Sequence, residues 1–265
     1  MKPSILAIML AALVLPQSGV VAADQAQNLK NSKPAVSHGH RGAKTFHIDN
    51  LDGATITYIK PDLSSQSITP VMGRITMPVS GVDNYHALVV EKDWGDHKEV
   101  IIRYQYMFGR PSKQNPVRLT AAEKSEFEIV PNPLPREHYR YHSQQAWQFL
   151  ARYQGEFVAN QPLTLSTSNG SEQTLNTDQH GRVTFLIPDD FPGLIEGERN
   201  KQSAQFTISG EYQEGDTTYS TQLVADYRVN PSHWQSTEWG VLVLGIGFLA
   251  GGYLGQNLKK RDKKA

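Results

Sequence analysis

The side chains best suited to chemistry in this sequence are histidines in two short groups. His38 and His40 flank a glycine in a polar stretch, and His47 follows them, while His138 and His142 lie in the segment EHYRYH. Imidazole nitrogens bind nickel, copper and zinc, and a glycine between two histidines lets the backbone bring both rings to one ion. A transition-metal site for nickel, cobalt, copper or zinc is one prediction. The alternative is a solvated polar segment that contains histidines by chance.

The second group allows the same two interpretations. His138 and His142 share one face of a strand, or stand four apart on a helix, and either geometry can bring them to one ion. The alternative is a polar and aromatic contact between domains. His86 and His97 flank a predicted hairpin, and we expect both to be surface or edge residues.

Motifs of common enzyme classes are absent from the sequence. It contains no HExxH, GxSxG or phosphate-binding loop, and it contains no cysteine, so no catalytic residue is predicted. The 26 basic residues balance 26 acidic ones and form no patch interleaved with aromatics, so nucleic acid is not a predicted partner. An exported chain without cysteine is more typical of a bacterial envelope than of a small disulfide-bonded secreted domain.

The N-terminus has the pattern of an export signal. Lys2 precedes an apolar run over residues 5–15, and Val21-Ala22-Ala23 supplies modest side chains at the expected cleavage positions. The apolar run is shorter than the roughly 20 residues that span a bilayer. Residues 1–23 are therefore predicted to be a signal peptide, and residues 24–45 a flexible polar leader.

The C-terminus has the pattern of a membrane anchor. Residues 239–258 contain no charged side chain, and their length suits a transmembrane helix. Trp234 and Trp239 lie where interfacial aromatics are common, and residues 259–265 form a basic tail. The chain is predicted to cross the cell membrane once, with its bulk outside the cytoplasm (periplasmic in a Gram-negative cell) and its C-terminus inside.

The predicted helix also carries a stripe of small residues. Gly240, Gly247, Gly251 and Gly255 lie on one side, and Leu244 continues the same register. Small residues four apart let a second helix approach closely. A membrane-protein partner, or self-association through this stripe, is the prediction. The alternative is that glycine is simply common in membrane helices.

Between the two ends the pattern predicts a mainly β protein. Runs rich in β-branched and aromatic residues fill residues 46–130, which we predict to be a β-rich domain. Three prolines in PNPLP interrupt the pattern, so residues 131–137 are a predicted linker. Residues 138–230 contain alternating runs separated by turns every 8–12 residues, as in an Ig-like β-sandwich. Residues 145–157 are strand-like, although a helix remains possible.

This second unit resembles a known family. The residues that carry the resemblance are Tyr153–Leu165, the Asn169-Gly170 hairpin and the stretch NTDQHGRVTF over 176–185, preceded by EFEIVP. They resemble Ig-like, carboxypeptidase-regulatory-like periplasmic domains found with bacterial nickel and cobalt uptake systems, over about residues 120–228. In the turn, Asp178 is expected to cap the backbone, and Gly181 to take a positive φ.

Two functions are compatible with these patterns. The resemblance implies an accessory or binding component of a nickel- or cobalt-type uptake system, anchored in the membrane and carrying one or two β-sandwich domains. The alternative is a structural or adhesive Ig-like envelope protein that takes no small ligand.

Overall fold

The computed structural model describes residues 29–37, 42–136 and 140–235, and within these ranges the chain is mainly β. The helices are α1, Val117–Ala121, and a 3-10 turn, Pro231–Trp234. The strands, in chain order, are β1 Lys30–Ser37, β2 Lys44–Asp49, β3 Thr55–Ile59, β4 Ser65–Ser67, β5 Arg74–Met77, β6 Val82–Asp93, β7 His97–Met107, β8 Arg110–Pro111, β9 Phe127–Pro131, β10 Tyr141–His142, β11 Ala146–Tyr153, β12 Glu156–Phe157, β13 Pro162–Thr167, β14 Glu172–Asn176, β15 Arg182–Leu186, β16 Ser203–Glu214 and β17 Thr217–Arg228.

A ten-stranded sheet forms the centre of the molecule. Its main order is β14-β13-β16-β17-β7-β6-β3-β4. Strand β17 joins the two halves, because it pairs antiparallel with β16 and parallel with β7. The pairing with β7 ends at Arg103, and β10 takes the same edge of β17 at Tyr227 and Arg228. Strands from both sides of the proline-rich segment therefore share one sheet.

Smaller sheets pack on both faces of this central sheet. Alternate residues of β6 point into different cores: Tyr85, Ala87 and Val89 into the larger core, Leu88 and Val90 into the smaller one. The larger core includes residues from the four-stranded sheet of β9, β11, β12 and β15, and the smaller includes residues from the three-stranded sheet of β1, β2 and β5. The near-continuous apolar runs of β6 and β7 follow from this burial on two faces.

The prediction of a mainly β, sandwich-like fold is confirmed, and residues 145–157, which could have been helical, form β11 and β12. Within the predicted leader, Lys30–Ser37 form β1 and pair with β2. The expectation that His86 is a surface or edge residue is wrong. Its side chain is fully buried and stacks on Tyr58, because it shares a face of β6 with Leu88 and Val90.

The turn that carries the family resemblance has the expected geometry. Asp178 Oδ1 accepts hydrogen bonds from the backbone N–H groups of His180 and Arg182, which hold the pKa of its carboxyl below the ordinary value. Gly181 has φ +66°, and a Cβ there would lie 2.7 Å from the carbonyl oxygen of Ala151. The turn thus requires glycine both for its backbone conformation and for the close approach of β11.

Substituting Gly181 with alanine should lower the free energy of unfolding by about 2–4 kcal/mol, because strain and a backbone clash combine. Gly215→Ala is the matched control, since Gly215 also has a positive φ, +58°, but no atom within 4 Å of the added Cβ. It should cost about 1 kcal/mol. Denaturant unfolding measures the stability of both variants. Equal losses of unfolding free energy would show that the contact between the added Cβ and Ala151 does not destabilise the fold.

Candidate binding cleft

The structure separates the predicted metal ligands that it describes. His47 lies on β2 in the three-stranded sheet, opposite Arg74 of β5, and His142 lies on β10 beside β17. His38, His40 and His138 lie outside the described residues. Within the described ranges, histidine, aspartate and glutamate side chains form no group of three or more that could hold an ion. The metal site stays a prediction from the sequence.

The predicted membrane helix, 239–258, and its stripe of Gly240, Gly247, Gly251 and Gly255 also lie outside the described residues. Across residues 29–37, 42–136 and 140–235, the helices are all too short or too polar to cross a bilayer. The signal peptide 1–23 likewise lies outside.

A cleft lies beside the point where β7 leaves β17. Its volume is about 540 Å³. Tyr85 of β6 and Tyr106 of β7 form its floor, with ring centroids 5.1 Å apart in an edge-to-face arrangement. The segment from Pro111 to Thr120, including α1, forms one wall, and the segment from Asn132 to Arg136 forms the other.

Two consecutive residues of β6 hold the two walls. Asn84 is buried, and its Nδ2 donates to Ser112 Oγ at 3.1 Å and to the carbonyl oxygen of Gln114 at 2.9 Å. The hydroxyl of Tyr85 donates to the carbonyl oxygen of Pro135 at 2.7 Å. Because both anchors stand on a central strand buried on two faces, the spacing between the walls is fixed by the sandwich itself.

A buried charge cluster fixes the far end of α1. The guanidinium of Arg152 on β11 donates to the carbonyl oxygens of Thr120, Ala121 and Ala122, and its Nε donates to Glu128 Oε1 at 2.9 Å. These are the carbonyls that the end of a helix leaves without intrahelical partners. The first wall is therefore tied to the four-stranded sheet as well as to β6.

Lys124 completes this cluster. Its Nζ lies 3.3 Å from Glu128 Oε2 and donates to the carbonyl oxygens of Leu119 and Ala122. Burial lowers the pKa of Lys124 below its ordinary value, although the carboxylate of Glu128 opposes that shift. One carboxylate with no exposed surface thus faces two buried cationic groups.

The lining of the cleft is mostly neutral. The lining contains tyrosine and proline rings together with amide and hydroxyl groups, and Val117 of α1 is half exposed at the wall. Asp83 and Arg136 are the charged residues of the lining. A surface of this kind contacts the apolar faces of a ligand and fixes its orientation through a small number of hydrogen bonds.

A second, basic recess adjoins the cleft. It measures about 390 Å³ and shares Pro133, Leu134 and Arg136 with the cleft. Its other lining residues are Arg140, His142, Gln145 and Trp147. His142, predicted from the sequence as a metal ligand, is thus placed among arginines, whose positive charge disfavours a bound cation.

No protein-family model matches the chain, and no curated protein matches it. Solved structures that are similar to this chain at low identity include the three that follow. A bacterial ice-binding adhesin of 1.5 MDa has 13% identity and a TM-score of 0.27, over 72% of this chain and 59% of that one. The D0-D1 domain of intimin has 11% identity and a TM-score of 0.26, over 76% of this chain and 97% of that one. A two-domain fibronectin type III segment of chicken tenascin has 10% identity and a TM-score of 0.23, over 76% of this chain and 98% of that one.

The chain spans less than two thirds of the adhesin structure that it matches. Similarity at these TM-scores identifies neither a family nor a function for this chain.

Proposed function

We propose that the protein is an adhesive component of the cell envelope, which displays its β-sandwich outside the cytoplasm and attaches to a surface polymer through the cleft. Three features of the sequence support this location: the export signal predicted at 1–23, the membrane span predicted at 239–258 and the basic tail that follows. The glycine stripe of that span provides for a membrane partner or a second copy.

The observation that carries the adhesive function is the construction of the cleft. Its walls are held by Asn84 and Tyr85 on a strand buried on both faces, so the site is rigid before a ligand arrives. A site that is already ordered avoids the cost of ordering its own walls on binding. Its lining offers rings, amides and hydroxyls, which suit recognition of a chain that lies along the surface.

A steric block of the cleft tests this function. Val117→Trp places a large ring on an exposed position of the α1 wall, outside the core, and should fill part of the cleft. Vesicles carrying the full chain should co-sediment with envelope fragments of the producing cells, and the variant should reduce that binding at least about tenfold, the effect of removing ~1.4 kcal/mol.

Val79→Trp is the matched control, because Val79 is exposed to a similar extent, 56% against 50% for Val117, and does not line the cleft. It should leave binding unchanged. Periodate treatment of the fragments should abolish binding if the polymer is a glycan, and protease treatment if it is a protein. Binding that both tryptophan variants reduce equally would contradict attachment through the cleft.

A further inference from the structure

The cleft and the basic recess together form one continuous surface with two chemical characters. They meet at Pro133, Leu134 and Arg136, so a ligand that occupies one can extend into the other. The cleft is mostly neutral and the recess is cationic. A ligand that fits both therefore has a neutral body and a negatively charged substituent.

The recess concentrates positive charge. Arg136 and Arg140 line it, and Arg228 stands beside it because His142 and Arg228 are paired across β10 and β17. Burial, and then the charge of Arg228, lower the pKa of Arg140 below its ordinary value. None of the three arginines forms an ion pair with a carboxylate of the described residues. An oxyanion would supply the missing negative charge, and the guanidinium fork binds carboxylate or phosphate in a bidentate manner.

Trp147 also lines the recess. Its indole Nε1–H is buried and has no hydrogen-bond partner among the described residues. A buried donor without a partner costs free energy. The ring is held edge-to-face against Tyr141, with centroids 5.0 Å apart, so its position is fixed by the larger core.

The neutral cleft suits a saccharide ring as the body of the ligand. The rings of Tyr106 and Pro133 line the cleft and can contact the C–H face of a sugar, and the side-chain NH2 groups of Gln114 and Asn115 can donate to its hydroxyl groups. A sugar ring, with hydroxyls around an apolar face, suits a lining that contains both rings and amides.

We infer that the recess binds the carboxylate or phosphate group of an acidic saccharide whose neutral part lies in the cleft. This inference rests on the proposed adhesive function and names the class of polymer. Carboxylate and phosphate both present anionic oxygens that arginine binds. The test therefore uses ligands of each kind to distinguish them.

Calorimetry on the purified full chain tests the binding of an acidic saccharide. Four probes are used: tetragalacturonate, its methyl ester, galactose 6-phosphate and galactose. Tetragalacturonate should bind at least about tenfold more tightly than its ester, because the ester removes the charge and keeps the sugar. If galactose 6-phosphate gains more over galactose than the acid gains over its ester, phosphate is the preferred oxyanion.

Arg140→Gln should weaken binding of the anionic probe about ten- to a hundredfold and leave the methyl ester unaffected. Arg182→Gln is the matched control, since Arg182 is exposed on β15 and lines neither cavity. Equal binding of acid and ester would overturn the inference and leave adhesion through the cleft intact. No binding of any of the four probes at millimolar concentration would overturn it as well, while the vesicle assay reports separately on adhesion.

Discussion

Replacing Glu128 with glutamine should lower the free energy of unfolding by about 3–5 kcal/mol. Glu128 has no exposed surface and is the carboxylate that faces both Arg152 and Lys124. The substitution keeps the size of the side chain but removes the negative charge, so two buried cationic groups lose their counter-ion. Lys124 can respond by losing its proton, because burial already lowers its pKa, but Arg152 cannot. Urea unfolding of the purified protein measures the loss.

Glu126→Gln provides a matched control two residues away. Glu126 forms an ion pair with Lys98 at 2.7 Å, but both side chains are partly exposed, at 41% and 34%. Exposed pairs contribute about 0–1 kcal/mol, so this substitution should change stability little. If the two variants lose the same stability, burial is not what makes the Glu128 cluster important, and its role in fixing the α1 wall is also in doubt.

Acidification should destabilise the protein through His86 by about 3 kcal/mol between pH 6.5 and pH 4. The ring is fully buried, and burial lowers the pKa of His86 from 6.5 to about 4. Its Nδ1 lies 3.1 Å from the carbonyl oxygen of Asn84, and its Nε2 has no partner among the described residues. The unfolded chain therefore binds a proton at a higher pH than the folded one. The stabilisation is complete above pH 6.5 and is lost as the pH falls towards 4.

His86→Phe separates this effect from the titration of carboxylates. Phenylalanine keeps a ring against Tyr58, whose centroid lies 5.5 Å from that of His86, and it cannot be protonated. The difference in unfolding free energy between wild type and variant should shift by about 3 kcal/mol in favour of the variant as the pH falls from 6.5 to 4. Two stability curves that stay parallel over this range would contradict the assignment.

The sequence predicts single strands and turns much better than it predicts which strands pair. Leu163 and Leu165 alternate with polar residues and so identify β13, and Asp178 and Gly181 identify their turn, because these signals act within a few residues. The parallel pairing of β7 with β17 leaves no such signal, since strands distant in the chain meet only through the tertiary fold. The pairing of β1 with β2 was missed because Lys30–Ser37 is polar.

The cleft was beyond prediction for a related reason. Its floor and walls come from β6, β7, α1 and the proline-rich segment. No fixed separation along the chain relates these elements, so no sequence motif identifies the cleft. Helix α1 has five residues, too few to show a helical period. The burial of His86 was open to prediction, because the period of two in β6 places it on the face of Leu88 and Val90.

Attachment of living cells tests adhesion through the cleft. Cells that lack the protein should be given back the wild-type chain, Val117→Trp or Val79→Trp, at matched amounts in the envelope, and their attachment to surfaces coated with the purified envelope polymer counted. Wild type and Val79→Trp should restore attachment, and Val117→Trp should not. Full attachment with Val117→Trp, or none with the wild-type chain, would contradict adhesion through the cleft.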